Sequence, residues 1–330
     1  MVGWDQASLG RFGVGHQVIN TAFLIAIPMQ DWERIQELKK EKNAVILAHN
    51  YQSPEIQEIA DFVGDSLGLS VQATKTTADV IIFCGVDFMA ESAKVLNPSK
   101  IVILPEPQAK CPMAAMCDAE SLHDVRKKYP DAVVVSYVNT SAACKAETDV
   151  CCTSSNAVKV VGSIDAKQIL FVPDCNLGYY VQRFYPEKDI VVWPGFCPTH
   201  DLISPQAIAL LKKEHPRAPV LVHPECRPEV IDIADKVAST EGILKFAKSS
   251  DAQEFIIATE GTMTYRLAKE NPSKKFFSVE GAICPTMKMI TRQMVIRSLE
   301  TLQPAIELPA DVIEKARKPL ERMMEIGRGD

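Results

Sequence analysis

The sequence predicts an α/β fold of three homologous αβα units, each with a four-stranded parallel sheet, around a pseudo-threefold axis. Two observations predict it. Residues 44–98 align without a gap on 132–186 and on 218–272, and in each copy short apolar runs alternate with helical patterns. Because a unit of about 85 residues buries little apolar surface alone, we expect the three copies to pack together.

Each copy predicts the same order of elements. A short run rich in β-branched residues is typical of a strand that is covered on both faces. Three more strands follow it, with a helix before each, and the last of these helices ends at an Asn-Pro or Tyr-Pro pair, where proline disfavours further helix. The predicted strands are 45–48, around 63, 80–83 and 101–104; 133–136, around 151, 169–172 and 190–193; and 219–222, around 237, 255–258 and 275–279.

The repeat also predicts the domain organisation. We expect helices at 31–42, with Asp31 as an acidic cap, and within 309–327. The expected divisions are 1–43, an N-terminal arm and helix; 44–119, 120–205 and 206–290, the three αβα units; and 291–330, a C-terminal helical segment.

Composition and charge exclude several classes of function. The chain has 330 residues, 47% of them hydrophobic and 24% charged, which is ordinary for a soluble globular protein. Its net charge is −6 and no Lys/Arg block occurs, so neither a nucleic acid nor an anionic membrane is an expected partner. The apolar run 22–29 is too short to span a bilayer and follows no basic start, so we expect a cytoplasmic protein.

The cysteines predict a metal centre. Ten cysteines without a secretory signal serve more often as metal ligands or redox groups than in disulfides. Cys111, Cys197 and Cys284 each follow the fourth strand of a unit and precede a proline. Because the close Cys-x-x-Cys spacing of zinc sites and ferredoxins is absent, one thiolate from each unit favours a 4Fe-4S cluster whose open iron acts as a Lewis acid. Cys117 is the main alternative ligand, and Cys84, Cys144, Cys151, Cys152, Cys175 and Cys226 are expected to be small buried apolar residues.

Four positions carry polar residues in all three copies. Most of them follow a strand, and ligands of open α/β sheets bind beyond the carboxyl ends of the strands. A single Ser, Thr or His at such a place more often caps a helix or forms hydrogen bonds in the core, but the register of the whole set favours a shared pocket for carboxylate or phosphate groups. The sets are His49, Tyr137 and His223; Tyr51, Asn139 and Glu225; Asp61, Asp149 and Asp235; and Ser66, Ser154 and Thr240.

Several strings resemble the quinolinate synthase family, from residue 31 to the last residue. They are AHNYQ, DFVGDS, YVNTSAACKAETD, CCTSSNAVKVV, PGFCPTH, LVHPE and GAICPTMK. The resemblance implies an enzyme of de novo NAD biosynthesis that condenses iminoaspartate with dihydroxyacetone phosphate, giving quinolinate, phosphate and water. It also implies three αβα domains, a functional link to L-aspartate oxidase, and an oxygen-sensitive 4Fe-4S cluster held by Cys111, Cys197 and Cys284.

The resemblance further implies which residues form the substrate pocket. Among them, Glu225 is expected to act as general base, with Tyr51, His49 and His223 relaying protons. The implied pocket residues are His49, Tyr51, Ser66, Tyr137, Asn139, Ser154, His200, His223, Glu225 and Thr240.

Two alternatives share the cysteine pattern. One is another triplicated 4Fe-4S enzyme, of the diphthamide-forming type or the hydroxymethylbutenyl-diphosphate reductase type. The other is a 4Fe-4S redox sensor that binds a dicarboxylate. The His, Tyr, Asn and Glu set is not expected in the first alternative, and an assay for quinolinate separates both from the main interpretation.

Overall fold

The computed structural model describes residues 27–330, and the strands of this range form three separate four-stranded sheets. Every strand pairing within the sheets is parallel. Each sheet takes four consecutive strands of the chain in the spatial order second, first, third, fourth. Helices flank the sheets, so the predicted α/β fold of three αβα units is confirmed.

The first unit follows a helix that packs against its first strand. All five residues of the third strand are buried, as expected for an inner strand of a parallel sheet with both faces covered. The elements are α1 Met29–Glu41, β1 Ala44–His49, α2 Pro54–Ile59, β2 Phe62–Gly64, α3 Ser66–Lys75, β3 Val80–Cys84, α4 Asp87–Leu96 and β4 Ile101–Ile103.

The second unit repeats this order after a short 3₁₀ helix at Ala114–Met116. Its first strand is buried except at Val133, which is partly buried. The elements are α5 Ala119–Lys128, β5 Val133–Tyr137, α6 Ala142–Lys145, β6 Val150–Cys152, α7 Ala157–Gly162, β7 Gln168–Val172, α8 Cys175–Gln182 and β8 Asp189–Val192.

A short helix at Pro198–Asp201 ends the second unit, and the third unit and a helical segment complete the described chain. A 3₁₀ helix at Thr286–Lys288 follows the last strand. The elements are α9 Pro198–Asp201, α10 Pro205–Glu214, β9 Val220–Val222, α11 Pro228–Ile231, β10 Lys236–Val237, α12 Thr240–Ser249, β11 Glu254–Ala258, α13 Met263–Glu270, β12 Lys275–Ser278, α14 Arg292–Thr301 and α15 Ala310–Ile326.

The repeated aspartate has a structural role in all three units. In the third unit, the Asp235 carboxylate accepts a hydrogen bond from the Val220 backbone N–H at 2.7 Å. The Asp235 backbone N–H in turn donates to the Val220 carbonyl at 3.0 Å. This pair of bonds ties the start of the second strand to the first strand. The equivalent pairs are Asp61 with Ile46 and Asp149 with Val134.

The residues after α15 contact all three units. The Arg328 guanidinium donates to Asp65 at 2.6 Å in the first unit. The Gly329 N–H donates to the Ser155 carbonyl at 2.9 Å in the second. In the third, the Ser239 N–H donates to the Asp330 carboxylate at 3.0 Å. We call residues 328–330 the tail.

Some predicted boundaries were wrong. Helix α1 begins at Met29, so Asp31 lies in its first turn, where it accepts a hydrogen bond from Arg292 rather than capping the helix. Ser154 lies in a turn, and α7 begins only at Ala157. Residues 1–26 of the predicted N-terminal arm lie outside the described range. Between residues 27 and 330, no helix has both the length and the apolar character needed to cross a bilayer.

Replacing Asp235 by alanine should destabilise the protein. The change leaves the Val220 N–H without its acceptor, which typically costs about 1–3 kcal/mol in the free energy of unfolding. Urea unfolding followed by circular dichroism measures the loss. Asp251→Ala, at an exposed aspartate, is the control and should have little effect. Equal unfolding midpoints for the two variants would contradict the structural role.

Candidate active site

Side chains from all three units line one cavity. The carboxyl ends of the strands supply most of them, as the topology of open α/β sheets requires. The cavity brings together all ten residues predicted for the pocket and the three predicted cysteine ligands. The residues are His49, Tyr51, Ser66, Tyr137, Asn139, Ser154, His200, His223, Glu225 and Thr240, with Cys111, Cys197 and Cys284.

Two histidines hold equivalent positions at the carboxyl ends of first strands. Nδ1 of His49 accepts the backbone N–H of Tyr51 at 3.2 Å, and Nδ1 of His223 accepts that of Glu225 at 3.4 Å. In a neutral ring the proton is therefore on Nε2. Burial lowers the pKa of His49 to about 4 and that of His223 to about 3, so both rings are neutral near pH 7. The His223 Nε2–H can then donate to the Ser154 hydroxyl, 3.2 Å away.

Glu225 is a buried carboxylate with partners from the second unit. The Tyr137 hydroxyl donates a hydrogen bond to it. His200 Nδ1 lies 2.8 Å from its other oxygen. Burial alone would raise the pKa of Glu225, but its electrostatic interactions with His200 and His223 and its hydrogen bonds to His200 and Tyr137 outweigh burial, so the net shift is downward.

A chain of hydrogen bonds connects Tyr51 to Glu225. His200 Nε2 lies 2.8 Å from the Thr259 hydroxyl, which lies 2.7 Å from the Tyr51 hydroxyl. Burial, followed by the charge of Glu225, raises the pKa of both Tyr51 and Tyr137, so both phenols keep their protons at neutral pH. The arrangement can move a proton between Tyr51 and Glu225 through Thr259 and His200.

Sequence reasoning did not identify Thr259 as part of this chain. The signal was available, because Thr259 directly follows β11 and so lies at the carboxyl end of a strand. Its repeat partners are Gly85 and Pro173, and neither has a hydroxyl group. A search limited to residues repeated in all three units therefore excludes it.

The hydroxyl groups of Ser66 and Thr240 do not cap the helices that these residues begin. Ser66 and Thr240 are the first residues of α3 and α12, and the caps are the residues before them, Asp65 and Ser239. The Thr240 hydroxyl accepts a hydrogen bond from Asn50 at 2.7 Å. The capping interpretation of these two residues was therefore wrong. In the described residues, the side-chain oxygen of Asn139 is buried and has no hydrogen-bond partner.

The same backbone bond holds each of the three cysteine loops. In every unit, an N–H just after the third strand donates to the carbonyl two residues before the cysteine. This contact fixes the loop at the carboxyl end of the sheet. The pairs are Asp87 to Ala109 at 2.9 Å, Cys175 to Gly195 at 2.8 Å, and Gly261 to Ala282 at 2.7 Å.

Two of the cavity cysteines lie where ionisation of the thiol is disfavoured. Burial of the sulfur raises the pKa of Cys111 to about 12, and burial together with the charge of Glu225 raises that of Cys197. Cysteine binds metals as the thiolate, so a metal held here would have to offset this cost. Cys197, His200 and Glu225 also place donor atoms within 4.8 Å of one another, which is close enough to hold one ion.

The alternative ligand lies elsewhere. The sulfur of Cys117 is 3.6 Å from that of Cys144, and both residues are buried outside the cavity wall. Cys175 is partly exposed, which contradicts its predicted burial. The burial of the remaining cysteines is confirmed for Cys84, Cys144, Cys151, Cys152 and Cys226.

Comparison with known proteins identifies the family. Residues 33–325 match the family described as Quinolinate synthetase A protein. The chain belongs to the quinolinate synthase family. It is 52% identical to the quinolinate synthase of Methanosarcina barkeri over 295 residues, which are 89% of this chain and 97% of the relative. It is 53% identical to those of Thermodesulfovibrio yellowstonii, with the same coverage, and of Caldicellulosiruptor saccharolyticus, over 88% of this chain and 97% of the relative.

Membership of this family makes the chain an enzyme and decides against the alternatives. The redox sensor is not an enzyme, and the two other triplicated enzymes belong to different families. The resemblance found in the sequence is confirmed over nearly the whole described range.

The buried histidines predict a loss of stability in acid. A histidine whose pKa is about 4 when folded and about 6.5 when unfolded binds its proton first in the unfolded chain, so stability falls as the pH drops from 6.5 towards 4. For His49, the loss between pH 7 and pH 5 is roughly 2 kcal/mol. His49→Asn should reduce the drop in the free energy of unfolding by about this amount in urea titrations. Between pH 7 and pH 8 the variant and the parent should change alike, and an unchanged acid drop would contradict the assignment.

Proposed function

We propose that the chain condenses iminoaspartate with dihydroxyacetone phosphate, giving quinolinate, phosphate and two waters, in the NAD biosynthesis of the cytoplasm. The observation that carries the proposal is the single cavity in which three cysteines and ten predicted pocket residues meet. Family membership supports the product. An oxidase acting on L-aspartate is the proposed source of iminoaspartate.

We assign a 4Fe-4S cluster to Cys111, Cys197 and Cys284. The donor set fits such a group because each unit contributes one cysteine to the same cavity and because thiolates are the usual ligands of these clusters. When bound, the cluster would supply an open iron that acts as a Lewis acid and eases the loss of hydroxide.

The hydroxyl groups of the cavity suit anionic substrates. Ser66 and Thr240 begin helices of ten residues each, and the free N–H groups of a first helical turn favour carboxylate or phosphate. Asn139 and Ser154 add further polar groups to the cavity wall. We expect these four residues to hold the two carboxylates of iminoaspartate and the phosphate of its partner.

Glu225 is the proposed general base. It stays ionised at neutral pH, and its hydrogen bonds to Tyr137 and His200 hold it at the cavity wall. Tyr51 is the proposed acid at the other end of the chain through Thr259, so a proton that it donates can be replaced from Glu225.

The neutral histidines have a separate proposed role. Their Nε2–H groups are free of the backbone bonds that occupy Nδ1. His223 already lies within hydrogen-bonding distance of Ser154, and His49 is an edge-on neighbour of Tyr51, with ring centroids 4.6 Å apart. Both can donate to a substrate oxygen or relay its proton during enolisation and ring closure.

The proposed activity has a direct test. Protein prepared without oxygen and loaded with iron and sulfide is supplied with dihydroxyacetone phosphate and with iminoaspartate generated in situ. We expect quinolinate, identified by chromatography and mass spectrometry, in proportion to enzyme. Cys197→Ala, treated identically, should bind less iron and form no quinolinate. Absence of quinolinate from iron-loaded parent protein would refute the proposed reaction.

Replacing Glu225 by glutamine should abolish turnover while sparing the metal centre. Glutamine keeps the size of the side chain but cannot accept a proton at neutral pH, so we expect a rate loss on the order of 100-fold or more. Iron and sulfide content should match the parent. A variant with full iron and a near-parental rate of quinolinate formation would remove Glu225 from the mechanism.

A further inference from the structure

Two units place a carboxylate beside the backbone amide of their cavity cysteine. The Cys111 N–H donates to Asp87 at 3.2 Å. The Cys284 N–H donates to Glu260, also at 3.2 Å. The arrangement therefore occurs twice, with two different types of side chain. In the second unit, Asp174 follows the third strand in the same way, but its side chain accepts the Leu177 N–H of its own helix.

These carboxylates come from one place in the fold. Asp87, Asp174 and Glu260 lie two or three residues after the third strand of their units. The next residue or the carboxylate residue itself makes the backbone bond to the carbonyl two residues before the cysteine. The loops of Cys111 and Cys284 are thus held at two points, at the cysteine amide and two residues earlier, and the loop of Cys197 at the second of these points. We call this arrangement the clamp.

In the third unit the clamp places a carboxylate where burial opposes it. Glu260 has no exposed surface, and a buried carboxylate is costly unless hydrogen bonds compensate. Glu260 is compensated by Lys288 at 2.8 Å and by the Thr262 N–H at 3.0 Å. Its bond to the Cys284 N–H belongs to the same set of compensating contacts.

The backbone amide is the group through which the clamp acts. A cysteine amide that donates to a carboxylate cannot turn and donate to a sulfur atom instead. Rotation of the loop that would point the thiol away from the cavity must also break the carboxylate bond. The clamp therefore restricts both the direction of the sulfur and the hydrogen bonds that it can receive.

We propose that Asp87 and Glu260 are positioning residues that hold the thiols of Cys111 and Cys284 towards the cavity. The inference rests on the proposed function only in taking these cysteines as metal ligands. It does not depend on the identity of the substrate or on the reaction.

The clamp of the third unit also contacts the chain of hydrogen bonds between Tyr51 and Glu225. Lys288 binds Glu260 and donates to the backbone carbonyl of Tyr51. A change at Glu260 would therefore disturb a proposed catalytic residue as well as Cys284. Asp87 has no such link, since its other side-chain partner is the Phe88 N–H of its own helix. Asp87 is the cleaner site for a test.

The test measures thiol reactivity in the cluster-free protein. Asp87→Ala and Asp87→Asn are treated with iodoacetamide under anaerobic, reducing conditions, and the alkylation of each cysteine is followed by peptide mass spectrometry. Loss of a hydrogen bond worth about 1 kcal/mol should speed alkylation of Cys111 about fivefold in Asp87→Ala. Cys197 and Cys284 should react at parental rates. Asp87→Asn keeps an acceptor oxygen and should restore slow alkylation of Cys111.

A matched control lies on the same strand. Asp79 precedes β3 at its opposite end and accepts a hydrogen bond from Asn43. Asp79→Ala should leave the alkylation of all three cysteines unchanged. After reconstitution, Asp87→Ala should hold less iron and sulfide per chain than Asp79→Ala does.

Two outcomes would overturn the proposal. One is an unchanged rate at Cys111, and the other is an equal rise at all three cysteines, which indicates general loosening. If Asp87→Ala fails to fold, Glu260→Ala gives the same readout at Cys284. A parent protein that makes no quinolinate would refute the proposed reaction but leave these alkylation rates interpretable.

Discussion

The buried carboxylate of Glu225 is the interaction on which the rest of the site depends. It belongs to the third unit, yet it receives its hydrogen bonds from Tyr137 and His200 of the second. These partners matter because Glu225 is only 4% exposed, and an unpaired buried carboxylate is costly. Burial raises the pKa values of Tyr51, Tyr137 and Cys197, and the charge of Glu225 raises them further. One ionised group thus helps to keep two phenols and a thiol of the other units protonated.

The repeated unit explains how these groups meet. A parallel sheet exposes the carboxyl ends of all its strands at one edge, and here three such edges face one cavity. The repeated Asp235 and its two equivalents fix the strand pairing within each unit. The repeated backbone bond to each cysteine loop fixes the thiols at the same edge. The residues that stabilise the repeated structure and the polar residues that line the cavity therefore occupy different positions of the unit.

Much of the fold could be predicted because its signals are local. The strand β3 is a run of five buried apolar residues, and α4 ends at Leu96, just before Asn97 and Pro98. Pocket residues could be predicted where the repeat marks them. Thr259 could not, because its repeat partners have no hydroxyl and its importance arises only from its contacts with Tyr51 and His200. The direction of the Cys117 thiol likewise depends on a tertiary contact with Cys144 that no local pattern records.

The tail gives the three units a shared mechanical link. Arg328, Gly329 and Asp330 each contact a different unit, and each contacted residue is next in the sequence to a predicted anion seat, Ser66, Ser154 or Thr240. A unit that moves outward without the tail must therefore lose its contact with this short segment. Opening of the cavity by one unit is consequently coupled to the loss of one tail contact beside a pocket residue.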